Sequence, residues 1–266
     1  MTLKTMIVAL SLTCALSGVG IAATVRPIVD IQSGYLLGGS AGSKWLDAKA
    51  TAARMKGRET YRLLETKRQS STGIGSKPRS HEAPCEDTWY VDINPKKVVI
   101  AVGGNWNTMP RAPQTLSNTS PVYRKIVADI LRKHNIKPNV KITQSTRVDL
   151  EGDGESEVLI SATVHKGYAE TDSISSRSLA NEYSMVFLRK VVGGKVVTQM
   201  LDEEYFTKDM NFNAPDIFTI AGVWDLNGDG RMEIVTFGRY YEGDGTMVYE
   251  MRGNKAVKVL EAACGS

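Results

Sequence analysis

The chain has 266 residues, of which 42% are hydrophobic and 23% are charged, with a formal net charge of +4. This composition is that of an ordinary globular protein, long enough for one large or two small hydrophobic cores. Its three histidines are dispersed, and His-Glu-x-x-His, phosphate-loop and Cys-x-x-Cys motifs are absent from the sequence. The chain therefore offers none of the common zinc-peptidase, nucleotide-binding or dithiol motifs.

Residues 1–23 are predicted to be a signal peptide for export. Lys4 gives a positive start, residues 6–16 form an apolar run, and Gly20-Ile21-Ala22 matches a cleavage pattern near Ala22 or Ala23. The alternative is an uncleaved membrane anchor, but serine, threonine and glycine residues interrupt its apolar stretch. We expect a secreted or periplasmic protein with no transmembrane span after cleavage.

Cleavage leaves two cysteines, Cys85 and Cys264. Exported proteins with two cysteines usually pair them. We predict a disulfide bond between the middle of the chain and its last residues, and two buried thiols are the alternative.

Residues 24–146 form a basic region, with 20 lysines and arginines against 9 acidic residues. Its patterns predict a β-hairpin near the start, a short helix near residues 47–56 capped by Asp47, and an exposed loop at 67–84. A clear amphipathic helix is predicted at about residues 121–134, with Ser120 as its cap and Pro121 in its first turn. Trp106 lies in a loop between strands and is either a core residue or a platform for stacking a ligand.

The segment Gly38-Gly39-Ser40-Ala41-Gly42 formally matches the Gly-x-Ser-x-Gly elbow of hydrolases. That elbow needs a buried strand before it and acid and histidine partners after it. Ser40 lies too near the start of the mature chain for a preceding sheet, so we interpret the segment as a glycine-rich turn.

Residues 147–266 form an acidic region, with 12 basic against 20 acidic residues, and they contain an internal repeat. Each copy begins with an acidic nine-residue stretch, followed by a strand, a connection, a second strand, a glycine turn and a third strand. The first acidic loop is Asp149–Glu157, and the second acidic loop is Asp225–Glu233. The repeat predicts two β-sheet units in a mainly β (α+β) protein with antiparallel sheets.

Oxygen side chains fall at positions one, three, five and nine of each loop, with glycines at positions four and six. This spacing suits a hard cation, because a tight loop aims alternate side chains inward and glycine permits the turn. The predicted ligands of the second loop are Asp225, Asn227, Asp229, Glu233 and the Arg231 carbonyl. The predicted ligands of the first loop are Asp149, Glu151, Asp153, Glu157 and the Glu155 carbonyl. We expect two calcium sites.

An EF-hand is excluded, since it needs a glutamate at position twelve and flanking helices. Position twelve is Ile160 in one loop and Thr236 in the other, and strands follow both. Gly243-Asp244-Gly245 repeats the glycine pattern without acids at positions one and nine, so Gly-Asp-Gly alone does not define the site.

The loops resemble the calcium-binding loops of FG-GAP and VCBS repeats, which build the β-propellers of integrin α-subunits. The resemblance rests on Asp225-Leu226-Asn227-Gly228-Asp229-Gly230-Arg231-Met232-Glu233, on its counterpart from Asp149 to Glu157, and on the apolar strands that follow. It covers about residues 145–266. It implies calcium binding and β-sheet, although both loops carry Glu where the family more often has Asp at position nine. Two units cannot close a propeller, so either their sheets pack on each other or residues 24–146 complete them.

The leading functional hypothesis is an exported calcium-binding protein that is a binding or structural module rather than an enzyme. The alternative is a secreted hydrolase acting on an extracellular polymer or phosphoester with loop carboxylates such as Asp202, Glu203, Glu204 or Glu242. The basic region could bind an anionic envelope polymer or a protein partner, which we favour over nucleic acid. It could also dock on the acidic region of the same molecule.

Overall fold

The computed structural model describes residues 24–94, 99–165 and 174–265, and these residues are mainly antiparallel β-sheet. The predicted signal peptide lies outside them. Two helices and seventeen strands occur in the described residues, and their bounds in chain order are β1 (Arg26–Asp30), β2 (Leu36–Ala41), β3 (Lys44–Leu46), α1 (Ala48–Ala52), β4 (Thr60–Glu65), β5 (Arg68–Ile74), β6 (Arg79–Ser80), β7 (Trp89–Tyr90), β8 (Ile100–Gly103), β9 (Gln114–Thr115), α2 (Pro121–Lys133), β10 (Ile142–Val148), β11 (Glu157–Val164), β12 (Tyr183–Val192), β13 (Lys195–Tyr205), β14 (Ile217–Trp224), β15 (Glu233–Tyr240), β16 (Gly243–Arg252) and β17 (Lys255–Gly265).

The N-terminal sheet has the strand order β3-β2-β1-β8-β4-β5, with every pairing antiparallel. The predicted hairpin is present, but the glycine-serine segment is strand β2 rather than its turn. Ser40 is fully buried in β2, opposite Arg26 and Trp45 on the flanking strands. It therefore has no nucleophile-elbow geometry.

The predicted exposed loop at 67–84 is wrong in part. Arg68–Ile74 forms strand β5 at the edge of the N-terminal sheet, and Arg79–Ser80 forms the short strand β6. Almost every residue of β5 is exposed. An edge strand with both faces in water carries no alternation of polar and apolar residues, which is why the sequence pattern did not predict it.

The internal repeat is confirmed as two antiparallel sheets in which the strands follow one another along the chain. The first repeat sheet has the order β13-β12-β11-β10-β9, and the second repeat sheet has the order β14-β15-β16-β17. Strands β9 and β14 were not predicted. The predicted boundary between residues 146 and 147 falls inside β10, so the basic region supplies β9 and most of β10 to the first repeat sheet.

The second repeat sheet is the central layer of the molecule. Its alternate residues point to opposite faces, as in any strand. One face packs on the N-terminal sheet, with a shared core that includes Ile28, Val102, Trp224, Val235, Val248 and Leu260. The other face packs on the first repeat sheet, with a core that includes Val148, Leu188, Val223, Ile234, Met247 and Tyr249. The two repeat sheets thus pack on each other, and the N-terminal sheet covers the second one.

Both predicted helices are present on the outer faces of the stack. Helix α1 packs on the N-terminal sheet, and the Asp47 carboxylate accepts the Ala50 N–H at 2.7 Å, as expected of its cap. Helix α2 packs on the first repeat sheet through Val127 and Leu131. Ser120 is the N-cap residue of α2, as predicted, although its side chain makes no capping hydrogen bond. No described helix combines the length and hydropathy needed to cross a membrane.

The predicted disulfide is confirmed. Cys85 and Cys264 are bonded, with their Cα atoms 5.6 Å apart. The bond joins the segment before β7 to β17, the last strand of the second repeat sheet. It therefore staples the N-terminal part of the chain to the central layer.

Candidate metal-binding loops

The two acidic loops occupy equivalent places, each as the turn between the first two strands of its repeat unit. Val148 pairs with Glu157 where β10 and β11 meet the first loop. Trp224 pairs with Glu233 where β14 and β15 meet the second loop. The glutamate at position nine is thus the first residue of the returning strand in both copies, which fixes it beside the aspartate at position one.

The aspartate at position one organises the turn. Asp225 accepts the Gly228 N–H at 2.6 Å on one oxygen and the Gly230 N–H at 2.9 Å on the other. Asp149 makes the same two bonds to Gly152 and Gly154, at 2.6 and 3.0 Å. The four glycines have φ between 77° and 87°, a left-handed conformation that strains other residues. The spacing of aspartate and glycines therefore dictates the loop.

The glutamate at position nine accepts a hydrogen bond from the backbone N–H at position two of its loop. Glu233 accepts the Leu226 N–H at 2.7 Å, and Glu157 accepts the Leu150 N–H at 3.0 Å. Both glutamates are 1% exposed. A hydrogen bond to one oxygen holds each carboxylate in a fixed orientation inside the protein.

The side chains at positions three and five of the second loop are held by hydrogen bonds from the loop backbone. Asn227 accepts the Asp229 N–H at 2.9 Å, and Asp229 accepts the Arg231 N–H at 2.8 Å. Asp225 and Asn227 are 2% and 3% exposed. The structure thus brings the predicted side chains of the second loop together, with Asp225, Asn227 and Glu233 buried and Asp229 exposed.

The carboxylates of the second loop lie close to one another. Burial raises the pKa of Glu233 well above its usual range, and the nearby Asp229, Asp225 and Glu250 raise it further. Burial also raises the pKa of Asp225, with Asp229 adding to the effect. Within the described part of the chain, no lysine, arginine or histidine forms an ion pair with Asp225, Asp229 or Glu233. This set of oxygen donors fits calcium, which takes six to eight oxygen ligands.

A lysine from a neighbouring strand contacts the carboxylates of the first loop. The Lys190 ammonium on β12 lies 2.9 Å from Glu157 Oε1 and also bonds Glu151. Burial alone would lower the pKa of Lys190, but its hydrogen bonds to Glu151 and Glu157 outweigh burial and raise it. Asp153 accepts the Glu155 N–H at 2.9 Å and, like Glu155, is exposed. The donor set of the first loop therefore fits an added cation poorly, because the Lys190 ammonium already pairs with two of its carboxylates, Glu151 and Glu157.

Three residues of the basic region hold the loops, and sequence patterns did not identify their roles. Arg111 donates to the Asp149 and Leu150 carbonyls of the first loop at 2.5 and 3.0 Å, and to the Gly230 carbonyl of the second at 2.9 Å. Trp106 Nε1 donates to the Asp225 carbonyl at 2.9 Å. Arg26 donates to the Asn227 carbonyl and lies over the Trp106 ring. The charge asymmetry of the sequence was the available signal, since these contacts dock basic residues on the acidic region.

A separate acidic cavity of about 570 Å³ lies between the disulfide and the second repeat sheet. Asp202, Asp216 and Glu261 line it, together with Lys258. Burial raises the pKa of Asp202, and burial followed by the charge of Asp202 raises that of Asp216. Of the four carboxylates predicted for a hydrolase, only Asp202 lines this cavity, whereas Glu203, Glu204 and Glu242 do not.

His81 lies beside the disulfide, with a ring nitrogen within 4.8 Å of both sulfur atoms. His and Cys side chains are common zinc ligands, and cysteine binds zinc as the thiolate. Because Cys85 and Cys264 are bonded to each other, this group is not a metal site in the oxidised protein.

Comparison with protein-family models, curated proteins and solved structures found no match to this chain.

Proposed function

We propose that this chain is an exported calcium-binding β-repeat protein, a binding or structural module of the cell envelope or exterior in which calcium stabilises the fold. The observation that carries this proposal is the buried, unpaired charge of the second acidic loop. Glu233 and Asp225 are 1% and 2% exposed and face Asp229 without a basic partner among the described residues. A divalent cation would compensate this charge, whereas without it the carboxylates repel one another and their burial is costly.

The position of the loop supports a structural role for the ion. The second loop contacts Trp106 and Arg26 of the basic region and, through Arg111, the first loop as well. An ion held there would fix the junction of all three large sheets. The near-complete burial of Asp225 and Asn227 leaves little room for a substrate, which supports a staple rather than a catalyst.

Export is supported by the disulfide bond, since such bonds persist in oxidising compartments. The sequence pattern of residues 1–23 supports the same localisation.

Thermal unfolding with calcium and with chelator tests the proposal. A cation that binds only the folded state at 100 times its Kd adds about 2.7 kcal/mol of stability. We expect a higher unfolding temperature in calcium, and we expect Asp225→Asn to abolish the rise. Asp92→Asn, which removes an exposed carboxylate that belongs to neither loop, should keep the rise. An unchanged unfolding temperature in the wild-type protein would sink the proposal.

A second candidate function, hydrolysis, rests on the acidic cavity. Asp202 and Asp216 are desolvated and have raised pKa values, a state suited to proton donation. A screen of glycosidase, esterase and phosphatase substrates tests it. Turnover that Asp202→Asn or Asp216→Asn abolishes, while Glu203→Gln does not, would support an enzyme.

A further inference from the structure

The two acidic loops share a backbone design but differ in charge at one position of the neighbouring strand. Val158 on β11 pairs with Arg189 on β12, so the next position places Lys190 opposite Glu157. Ile234 on β15 pairs with Tyr249 on β16, so the next position places Glu250 opposite Glu233. The repeat thus carries a lysine in one copy where the other copy carries a glutamate.

This exchange reverses the electrostatics around the buried glutamate. In the first loop, Lys190 is 10% exposed and bonds both Glu157 and Glu151. A buried carboxylate paired with a hydrogen-bonded ammonium has its counter-charge in place. In the second loop, Glu250 adds a negative charge beside Glu233, and its own partner, Arg252, is a largely exposed side chain.

The oxygen at position three differs as well. Asn227 stays inside the second loop, where its amide bonds Asp229. Glu151 instead directs its carboxylate to Lys190 and to Arg231 of the second loop. Since Lys190 also bonds Glu157, two of the four oxygen side chains of the first loop are paired with neighbouring cations.

From these contacts we infer that the Lys190 ammonium takes the place of a metal ion in the first acidic loop, so that the protein binds one calcium ion, in the second. This inference rests on the proposed calcium binding of the second loop and limits it to a single site. Lys190 and Glu250 are the residues that determine which loop takes the ion.

Calorimetric titration of the purified, chelator-treated protein with calcium chloride tests the inference. The wild-type protein should bind one ion. Asp225→Asn should abolish binding, whereas Asp149→Asn should leave stoichiometry and affinity unchanged. Lys190→Gln removes the ammonium and leaves the first-loop carboxylates unpaired. It should bind a second ion, and adding Asp149→Asn to that variant should remove the second ion again.

The reciprocal variant keeps the test decisive if Lys190→Gln does not fold. Glu250→Lys places an ammonium opposite Glu233 and should weaken calcium binding about tenfold or more, which corresponds to about 1.4 kcal/mol. Glu242→Lys makes the same change of charge at an exposed turn and should leave the affinity within a small factor of wild type.

The outcomes separate this inference from the proposed function. Two ions bound by the wild-type protein, or one ion that depends on Asp149, would overturn the inference and leave calcium binding intact. Unchanged affinity in Glu250→Lys, or a folded Lys190→Gln that still binds one ion, would also overturn it. No binding by the wild-type protein would instead overturn the proposed function.

Discussion

Arg231 of the second acidic loop contacts Glu151 of the first, with its Nη2 atom 2.7 Å from Glu151 Oε1. The same carboxylate bonds Lys190. Next to this pair, the Met232 N–H donates to the Leu150 carbonyl at 2.8 Å. The loops of the two repeats are therefore joined by an ion pair and by a backbone hydrogen bond.

The Glu151–Arg231 contact should show a measurable coupling. In a double-mutant cycle of Glu151→Gln and Arg231→Met, measured by urea unfolding in chelator, we expect about 1 kcal/mol. The value is modest because the Arg231 side chain is 39% exposed and solvent screens the pair. The Arg177–Asp209 pair is more than half exposed on both sides and is the matched control. A coupling no larger than that of the control would contradict a stabilising link between the loops.

Arg111 should be the most important single side chain of the basic region for loop stability. Arg111→Met keeps the apolar stem but removes three hydrogen bonds, to the carbonyls of Asp149, Leu150 and Gly230. The Leu150 carbonyl keeps the Met232 N–H as a donor. We expect the free energy of unfolding to fall by about 2–3 kcal/mol. Arg124→Met removes one bond, to the Val140 carbonyl at 3.1 Å, and should cost about 1 kcal/mol or less. If urea unfolding shows the same loss of unfolding free energy for both variants, the contacts of Arg111 with both loops contribute no additional stability.

The loops could be predicted from sequence because their structure is local. The bonds from Gly228 and Gly230 to Asp225, and from Leu226 to Glu233, all lie within nine residues and follow from spacing alone. The repeated strands were predictable for a related reason, since from β10 to β13 and from β14 to β17 each strand pairs with the next strand along the chain.

The partners of the loops could not be predicted in the same way. Lys190 reaches Glu157 only because of the register between β11 and β12, and Arg111 and Trp106 meet the loops through the packing of three sheets. No local pattern marks these residues. Strand β5 was missed for a different reason, because an edge strand exposed on both faces shows no periodicity.

The disulfide should make a large contribution to stability, because 179 residues separate Cys85 and Cys264. The chain-entropy model gives an upper value of about 5 kcal/mol for so long a loop. The double variant Cys85→Ser, Cys264→Ser should therefore unfold at a lower urea concentration than the wild type. A dithiol reductant should lower the wild-type midpoint towards that of the variant and leave the variant unchanged. A fully reduced wild-type protein with an unshifted midpoint would contradict the prediction.

Glu204 should make the stability of the protein depend on pH. Burial raises the pKa of its carboxyl from 4.5 to about 7. The negative charge of Asp216 adds to this rise, and the hydrogen bond from the Asp216 N–H opposes it. Between these two pH values the folded state therefore keeps a proton on Glu204 that the unfolded state has already released. The stability that this proton contributes is fully present below the ordinary pKa of 4.5 and is lost as the pH rises through about 7.

Urea unfolding in chelator between about pH 5 and about pH 7 measures this effect, for which one group contributes at most about 1.4 kcal/mol per pH unit. Glu204→Gln cannot titrate, so its free energy of unfolding should fall less steeply with pH than that of the wild type. Glu203→Gln removes an exposed neighbouring carboxyl group and is the matched control. Identical pH profiles for Glu204→Gln and the wild type would show that the Glu204 carboxyl is ionised in the folded protein throughout this range.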